Sequence, residues 1–238
     1  DLEALCDDFF LVVRALLHAE CPQWERLPIE YLDSSGTDNA MWRVAVDGGP
    51  DVVVRLPRRP GAAAGVLHEV AVLRQIGSSP LRRLVQTPSV RHVGRPHERF
   101  PHPWSVLEWI DGTDAWAARE SLDHRRLDAL VVDLARAVTV IGEAEVEGVR
   151  WRSPGDRGGP LRPLLDRLDG WLDAPEWNAA SLLDVAAVRR LAAEARELVN
   201  EPVAEGFVHG DLIPGNLFVR GGRLTAIVDW GGAGRGDP

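Results

Sequence analysis

The sequence predicts an α+β protein of two lobes, with an antiparallel sheet in the N-terminal lobe and mainly helices in the C-terminal lobe. Three observations support this prediction. Short apolar segments of strand length come in succession before Arg58, and helical spacing of apolar residues prevails from Ser121 onward. A Gly-Gly turn joins two β-branched runs near the C-terminus. A chain of 238 residues is long enough to bury a core as one large domain or two small ones.

The elements of the N-terminal lobe follow from the periodicity of apolar residues. Amphipathic helices are predicted over Leu2–Ala19 and Ala62–Ile76, the second of which stops at a Gly-Ser-Ser-Pro segment. The Asp-Gly-Gly-Pro segment at 47–50 predicts a turn. Five segments are predicted as strands, and the first three, in a row, indicate an antiparallel sheet: Pro28–Leu32, Ala40–Val46, Asp51–Leu56, Ser89–Val93 and Trp104–Ile110.

The C-terminal lobe is predicted to consist of three helices followed by a hairpin. The helices span Leu122–Ile141, Leu161–Leu172 and Ser181–Val199, and the hairpin pairs residues 217–219 with 224–228. A loop rich in Pro and Gly, at 153–160, separates the first two helices. Its segment Arg157–Pro160 could bind an anion, but Gly and Pro favour a plain turn there. Ligands often bind between two such lobes.

Composition limits the function classes. The net charge of −9 argues against a general nucleic-acid binder, which normally presents a basic face. The 27 basic residues are all arginine, so no lysine is present to bind phosphate.

Two cysteines, Cys6 and Cys21, form no disulfide framework or metal-ligand spacing, which favours a reduced, cytoplasmic protein. Neither a membrane span nor a signal peptide is predicted. The missing initiator Met, and an end directly after a motif, suggest a chain cut from a longer one.

The polar residues around the predicted hairpin suggest chemistry. Asp211 and Asn216 lie five residues apart before its first strand, and Asp229 follows its second strand. Pairing of the two strands would bring Asn216 and Asp229 close together. An amide oxygen and a carboxylate are hard ligands that suit Mg²⁺, with phosphate or water in the remaining positions. Asp211 is then left to orient a hydroxyl and accept its proton, as phosphoryl transfer requires.

Other interpretations of these residues exist. An isolated His-Gly-Asp, here at 209–211, is often a turn in which the Asp side chain bonds to backbone, and an Asp at a strand end is often a solvated turn residue. A zinc site on His209 is poorly supported, because no further histidines stand nearby in the sequence. The combination of Asp211, Asn216 and Asp229 around one hairpin favours the catalytic interpretation.

The segment His209–Asn216 resembles the HGDxxxxN signature of the aminoglycoside phosphotransferases, small-molecule kinases that share the protein-kinase fold. Residues 227–230, Ile-Val-Asp-Trp, look like the family's equivalent of the kinase DFG segment. Weaker similarities extend over nearly the whole chain, at residues 35–39, 52–58 and 103–109. The resemblance implies a nucleotide-binding lobe over residues 1–107, a hinge at 108–112 and a helical lobe over 113–238 that carries the catalytic loop and the metal segment.

The resemblance also implies residue roles. Asp211 would be the catalytic base, with Asn216 and Asp229 as ligands of Mg²⁺ on the phosphates of ATP or GTP. Glu69 would pair with the phosphate-binding cation of the third strand. The remaining implied nucleotide contacts are the loop residues Ser35, Gly36 and Thr37, and the hinge residues Glu108 and Ile110 through their main chain.

Arg55 departs from the family pattern, because kinases generally place lysine on the third strand. Arginine is permanently charged and can bind phosphate bidentately, but with a geometry different from that of an ammonium. The alternative interpretation is that Arg55 is a surface residue on an edge strand. A second departure is Ile213, where many relatives carry histidine.

Three hypotheses about function follow. The first is a kinase that transfers the γ-phosphoryl group of ATP or GTP to a small hydroxylated acceptor, an aminoglycoside or macrolide antibiotic or a metabolite, without nucleic-acid or membrane partners. The second is a catalytically weak nucleotide-binding module with a regulatory role, favoured only by Arg55. The third, an interaction protein without nucleotide, requires Asp211, Asn216 and Asp229 to be coincidental.

Overall fold

The computed structural model describes residues 2–33, 38–174, 178, 181, 183–198 and 205–237. Two compact units are formed, Asp1–Ala137 with Leu212–Gly232, and Val138–Asp211 with Ala233–Pro238. The helices are α1 (Leu2–Glu20), α2 (Pro60–Ile76), α3 (Ala115–Ala118), α4 (His124–Gly142), α5 (Arg162–Asp173) and α6 (Val185–Leu198). The strands are β1 (Ile29–Leu32), β2 (Asn39–Val44), β3 (Val52–Pro57), β4 (Val90–Gly94), β5 (Trp104–Glu108), β6 (Thr113–Asp114), β7 (Gly206–Val208), β8 (Leu217–Arg220), β9 (Arg223–Ile227) and β10 (Gly234–Gly236).

A five-stranded antiparallel sheet forms the centre of the first unit. Its order is β1-β2-β3-β5-β4, so β3 is an interior strand, and all six of its residues are buried. Helix α1 adds Leu16 and Leu17 to a core that contains Trp42 and Trp104. Gly94 allows the closest approach in this sheet, because a Cβ there would lie 1.8 Å from the Trp104 ring. Residues of β2 alternate between buried and half-buried, whereas β3 is buried along its whole length.

Helix α2 contributes a polar side chain to its buried face. Pro60 starts the helix at a position where its missing N–H has no helical partner to lose. The buried residues recur at helical spacing and include Val66, Glu69, Val70 and Leu73. Glu69 is only 6% exposed, which is unusual for a carboxylate and requires a partner.

A second antiparallel sheet of the first unit, in the order β6-β8-β9, contains the predicted hairpin. Its turn residues Gly221 and Gly222 have φ of 57° and 80°, the left-handed region that a two-residue hairpin turn favours. Arg223 donates from Nε and Nη2 to the carboxylate of Asp133 in α4, at 2.6 and 2.7 Å. This bidentate contact holds the turn against the helix and is the first cause of a lowered pKa at Asp133.

The second unit combines α5 and α6 with a two-stranded antiparallel sheet of β7 and β10. Arg196 of α6 donates to Asp169 of α5 at 2.6 Å and to the Leu165 carbonyl at 2.9 Å. The sheet pairs Val208 with Gly234 and Phe207 with Arg235. The strand β7 leads directly into the His-Gly-Asp segment.

Most predicted elements are present, with ends shifted by a few residues. The short strands β6, β7 and β10 were not predicted, because two or three residues give no periodic signal and the Gly-Arg-Gly of β10 has no strand preference. The α+β class is confirmed. The predicted division into residues 1–107, 108–112 and 113–238 stays a prediction. No helix in the described part of the chain is long and apolar enough to span a membrane.

Candidate active site

Arg55 lies inside the five-stranded sheet of the first unit. It pairs with Met41 on one side and Ser105 on the other and is 8% exposed. Its Nη1 donates to Oε2 of Glu69 at 2.5 Å. The interpretation of Arg55 as a surface residue on an edge strand is therefore wrong, because β3 is an interior strand and the side chain is buried.

Both carboxylate oxygens of Glu69 are used. Oε2 accepts from Arg55, and Oε1 accepts from the backbone N–H of Trp230 at 3.2 Å. Arg55 in turn reaches Asp229, with Nη2 3.5 Å from Oδ1. Arg55 and Glu69 thus join β3 and α2 to the segment that follows β9, and they do so in the interior of the unit.

The charge of Arg55 is stabilised by its surroundings. Burial by itself lowers the pKa of the guanidinium, but Glu69 and Asp229 outweigh this effect, and the net pKa is raised. The Nε atom of Arg55 is buried and has no hydrogen-bond partner among the described residues. Arg55 is thus a buried cation, and its contacts with Glu69 and Asp229 fix the orientation of its guanidinium.

The hairpin places Asn216 and Asp229 at one end of the β8–β9 pair. Leu217 pairs with Ile227, and the Val228 N–H donates to the Asn216 carbonyl at 3.0 Å. Asp229 has a φ of 63° and is the one non-glycine residue with positive φ among the described residues. Its side chain is 48% exposed. A strained backbone that holds an exposed carboxylate beside a buried cation is typical of a functional site.

Asp211 belongs to the second unit, in the segment after β7. The Asp211 N–H donates to Nδ1 of His209 at 3.2 Å, and His209 is 1% exposed. Gly210 between them has a φ of 77°, which glycine adopts without cost. The carboxylate of Asp211 forms an ion pair with Nη1 of Arg157. His209 therefore supports the backbone of Asp211, and an arginine holds its side chain.

The predicted hinge begins at Glu108, the last residue of β5, and continues beyond that strand. The Glu108 N–H donates to the Ser89 carbonyl and the Trp109 N–H to the Asp51 carbonyl, both at 2.8 Å. The side chain of Glu108 pairs with Arg91, and Ile110 is buried. The loop residues Ser35, Gly36 and Thr37 lie outside the described residues.

A family model described as the phosphotransferase enzyme family, APH, matches residues 32–238. The chain belongs to the phosphotransferase enzyme family. This match confirms the predicted family and, with it, the predicted enzyme class, a small-molecule kinase. No curated protein matches the chain.

Solved structures with the phosphotransferase fold resemble the chain over most of its length. The GDP complex of wild-type aminoglycoside 2′-phosphotransferase-IIIa is 21% identical, with a TM-score of 0.68 over 96% of this chain and 74% of that chain. The apoenzyme of a macrolide 2′-phosphotransferase from Brachybacterium faecium is 20% identical, with a TM-score of 0.60 over 94% of this chain and 73% of that chain. These similarities confirm the protein-kinase-like fold.

The sequence missed two contacts of this phosphotransferase. The first is the hydrogen bond from the Trp230 N–H to Glu69. Its donor is a backbone group, and the amino-acid sequence does not show in which direction such a group points. Arg157 was assigned to a turn, and a turn is present there, with the Gly159 N–H bonded to the Asp156 carbonyl at 3.0 Å. Its ion pair with Asp211 joins residues 54 positions apart, which only the fold can bring together.

Proposed function

We propose that the chain transfers the γ-phosphoryl group of ATP or GTP to a hydroxyl group of a small molecule. The observation that carries this proposal is the buried Arg55, which contacts Glu69 and Asp229 together. Glu69 of the following helix holds the Arg55 cation beside Asp229, a carboxylate that could bind a metal ion. Such an arrangement suits the binding of a nucleoside triphosphate. Structural neighbours are described as complexes with GDP, ADP and ATP, which supports a nucleotide as co-substrate.

Arg55 would bind the nucleotide phosphates from inside the sheet. Among the residues that the structure describes, its Nε has no hydrogen-bond partner, so this donor would remain for a phosphate oxygen or a water bound to one. The loop residues Ser35, Gly36 and Thr37 would cover the phosphates. The purine would bind the main chain of Glu108, which pairs with Val52 at the end of β5, and of Ile110 just beyond it.

The residues at the end of the β8–β9 hairpin fit Mg²⁺. Asn216 and Asp229 supply an amide oxygen and a carboxylate, the hard oxygen donors that this ion prefers. The described residues contain no group of three or more His, Cys, Asp or Glu arranged for a metal, so phosphate and water oxygens would complete the coordination. Mg²⁺ would neutralise charge on the β- and γ-phosphates.

Asp211 would act on the acceptor. The acceptor oxygen attacks the γ-phosphorus, a new O–P bond forms, and the bond from the γ-phosphorus to the bridging oxygen breaks. The acceptor proton passes to the Asp211 carboxylate, and the nucleoside diphosphate leaves. The loose transition state needs positioning and charge neutralisation more than a strong base.

We infer an aminoglycoside-like or macrolide-like acceptor, and hence a role in antibiotic resistance. The structural neighbours support this, since they include a kanamycin complex, a gentamicin complex and a macrolide phosphotransferase.

Cys21 is a free, buried thiol, which fits a reducing compartment such as the cytoplasm.

The test is nucleotide consumption with Mg²⁺ over a panel of hydroxylated acceptors, for the wild type, Asp211→Asn and the control Asp128→Asn. Asp128 is an exposed carboxylate of α4. We expect acceptor-dependent turnover in the wild type and the control, and a loss of about a hundredfold or more in Asp211→Asn. Nucleotide binding without phosphoryl transfer by any of the three proteins would favour the regulatory module instead.

A further inference from the structure

The loop that carries Arg157 is fixed by close backbone packing within the second unit. The Asp237 N–H donates to the Gly158 carbonyl at 3.0 Å. A Cβ on Gly236 would lie 1.9 Å from that carbonyl oxygen, and a Cβ on Gly159 would lie 2.3 Å from the Ser153 carbonyl oxygen. Only glycine allows these approaches, so the loop is held in one position against β10.

Side-chain and backbone bonds hold Arg157 itself. Nε of Arg152 donates to the Arg157 carbonyl at 2.9 Å, and the Arg152 N–H donates to the Arg235 carbonyl of β10 at 2.8 Å. A Cβ on Gly158, whose φ is 74°, would lie 2.9 Å from the Val208 side chain at the end of β7. The loop therefore packs against both strands of the two-stranded sheet, β7 and β10.

The same sheet supports Asp211. Val208 pairs with Gly234 of β10 and is three residues before Asp211. The loop of Arg157 and the segment of Asp211 are thus both attached to the β7–β10 sheet, and the two side chains form an ion pair. Packing thus places the backbone of Arg157, and its guanidinium lies at a predicted catalytic carboxylate.

We propose that Arg157 is a positioning residue for the phosphoryl transfer, an inference that rests on the role proposed for Asp211. Its guanidinium holds Oδ1 of Asp211 and restricts rotation of the carboxylate about the Cβ–Cγ bond. Asp211 then presents one orientation to the acceptor hydroxyl. Phosphoryl transfer depends mainly on such alignment.

The solvent exposure of Arg157 and Asp211 distinguishes a positioning role of this ion pair from a role in stabilising the fold. The side chain of Arg157 is 66% exposed and that of Asp211 is 28% exposed. Ion pairs this exposed contribute little to folding. The Arg157 contact to Arg152 uses a backbone carbonyl, which a substitution keeps. Removal of the side chain should therefore change the rate and leave the thermal unfolding midpoint in place.

The experiment compares Arg157→Ala, Arg157→Lys and Asp211→Asn with the control Arg190→Ala, an exposed arginine of α6. The probes are Mg·ATP and Mg·GTP, with hydrolysis by water and transfer to the acceptor panel as the measured reactions. We expect Arg157→Ala to lower kcat by about tenfold to a hundredfold, with an unchanged dissociation constant for the nucleotide. Arg157→Lys should recover part of this loss, and Arg190→Ala should match the wild type.

Chemical rescue provides the decisive readout. Because Arg157 is largely exposed, methylguanidine at a non-denaturing concentration should reach the vacated place and raise kcat of Arg157→Ala, but not of Asp211→Asn. Wild-type kcat in Arg157→Ala, or a loss that neither lysine nor methylguanidine reduces, would overturn the inference. If Asp211→Asn kept the wild-type rate, or the wild type showed no turnover, the proposed function would fail as well.

Discussion

Arg55 and Glu69 form an ion pair in the interior of the first unit, with Nη1 2.5 Å from Oε2 and side chains that are 10% and 7% exposed. Each charge depends on the other, because little of either side chain is exposed to bulk water. The pair also occupies the position where the family resemblance places a lysine and an acid. Arginine adds a second terminal nitrogen, which lies 3.5 Å from Asp229.

Removal of Arg55 should destabilise the protein strongly. Arg55→Met leaves the Glu69 carboxylate buried without its cation, and we expect the free energy of unfolding to fall by about 3 to 5 kcal/mol. Urea unfolding followed by far-UV circular dichroism measures this change. Arg82→Met, at an exposed arginine, is the control and should stay within about 0.5 kcal/mol of the wild type.

A double variant checks the cause of that loss. Arg55→Met combined with Glu69→Leu removes both charges, so it should recover part of the stability lost in Arg55→Met alone. Additive losses in the double variant would mean that Arg55 and Glu69 do not stabilise each other.

Asp229→Asn should separate metal binding from backbone strain. Asparagine tolerates the positive φ of 63° at this position, whereas alanine would add conformational strain. The substitution removes the carboxylate charge, so we expect the Mg²⁺-dependent part of ADP or GDP affinity to fall on the order of a hundredfold. Calorimetric titrations with and without Mg²⁺ measure it. An identical magnesium dependence in Asp229→Asn and the control Asp128→Asn would contradict the metal assignment.

Cys21 should make stability depend on pH in the alkaline range. Burial, with a smaller contribution from Glu20, raises the pKa of this thiol from 9.0 to about 11. The folded state thus keeps the proton over a range in which the unfolded state loses it. Below pH 9 this thiol leaves stability unchanged, and between pH 9 and 11 it lowers the free energy of unfolding by about 2 to 3 kcal/mol.

The control for the thiol is Cys21→Ala, which has no proton to lose at this position. The difference in unfolding free energy between the wild type and Cys21→Ala, measured by urea at each pH, isolates the contribution of Cys21 from that of other groups. A difference that stays constant from pH 8 to 11 would show that burial does not raise the pKa.

The two glycines of the hairpin turn should respond differently to asparagine. A Cβ on Gly222 would lie 2.5 Å from Cβ of Arg126, whereas a Cβ on Gly221 meets open space. Gly222→Asn should therefore lower the free energy of unfolding by about 1 to 3 kcal/mol, and Gly221→Asn by about 0.5 kcal/mol or less. Thermal unfolding of both variants measures the contrast, and equal effects would exclude the contact with Arg126 as its cause.

The sequence predicted the elements that depend on local pattern. The strand at 52–57 follows from its run of valines. The helix that ends at Ile76 follows from a period of 3.6 residues and from the Gly-Ser-Ser-Pro segment after it. The hairpin was predicted from its Gly-Gly turn, and its register explains why Asn216 and Asp229 share one end. The family was predicted from the resemblance of residues 209–216 and 227–230 to its motifs.

The contacts between distant segments required the tertiary structure. Arg55 was read as either a phosphate ligand or a surface residue, and its place in the sheet order decided that it is buried. The roles in catalysis, metal binding and nucleotide binding stay predictions for all the site residues, since they concern bound groups: Ser35, Gly36, Thr37, Arg55, Glu69, Glu108, Ile110, Asp211, Asn216 and Asp229.

The sequence by itself determined the class of fold, most of its elements and the family, because each depends on residues close together in the chain. The tertiary structure decided that Arg55 spans Glu69 and Asp229, that the Trp230 N–H completes the bonding of Glu69, and that Arg157 meets Asp211. These contacts join residues from 14 to 174 positions apart. Chain folding brings such residues together through burial and strand order, which no local pattern records.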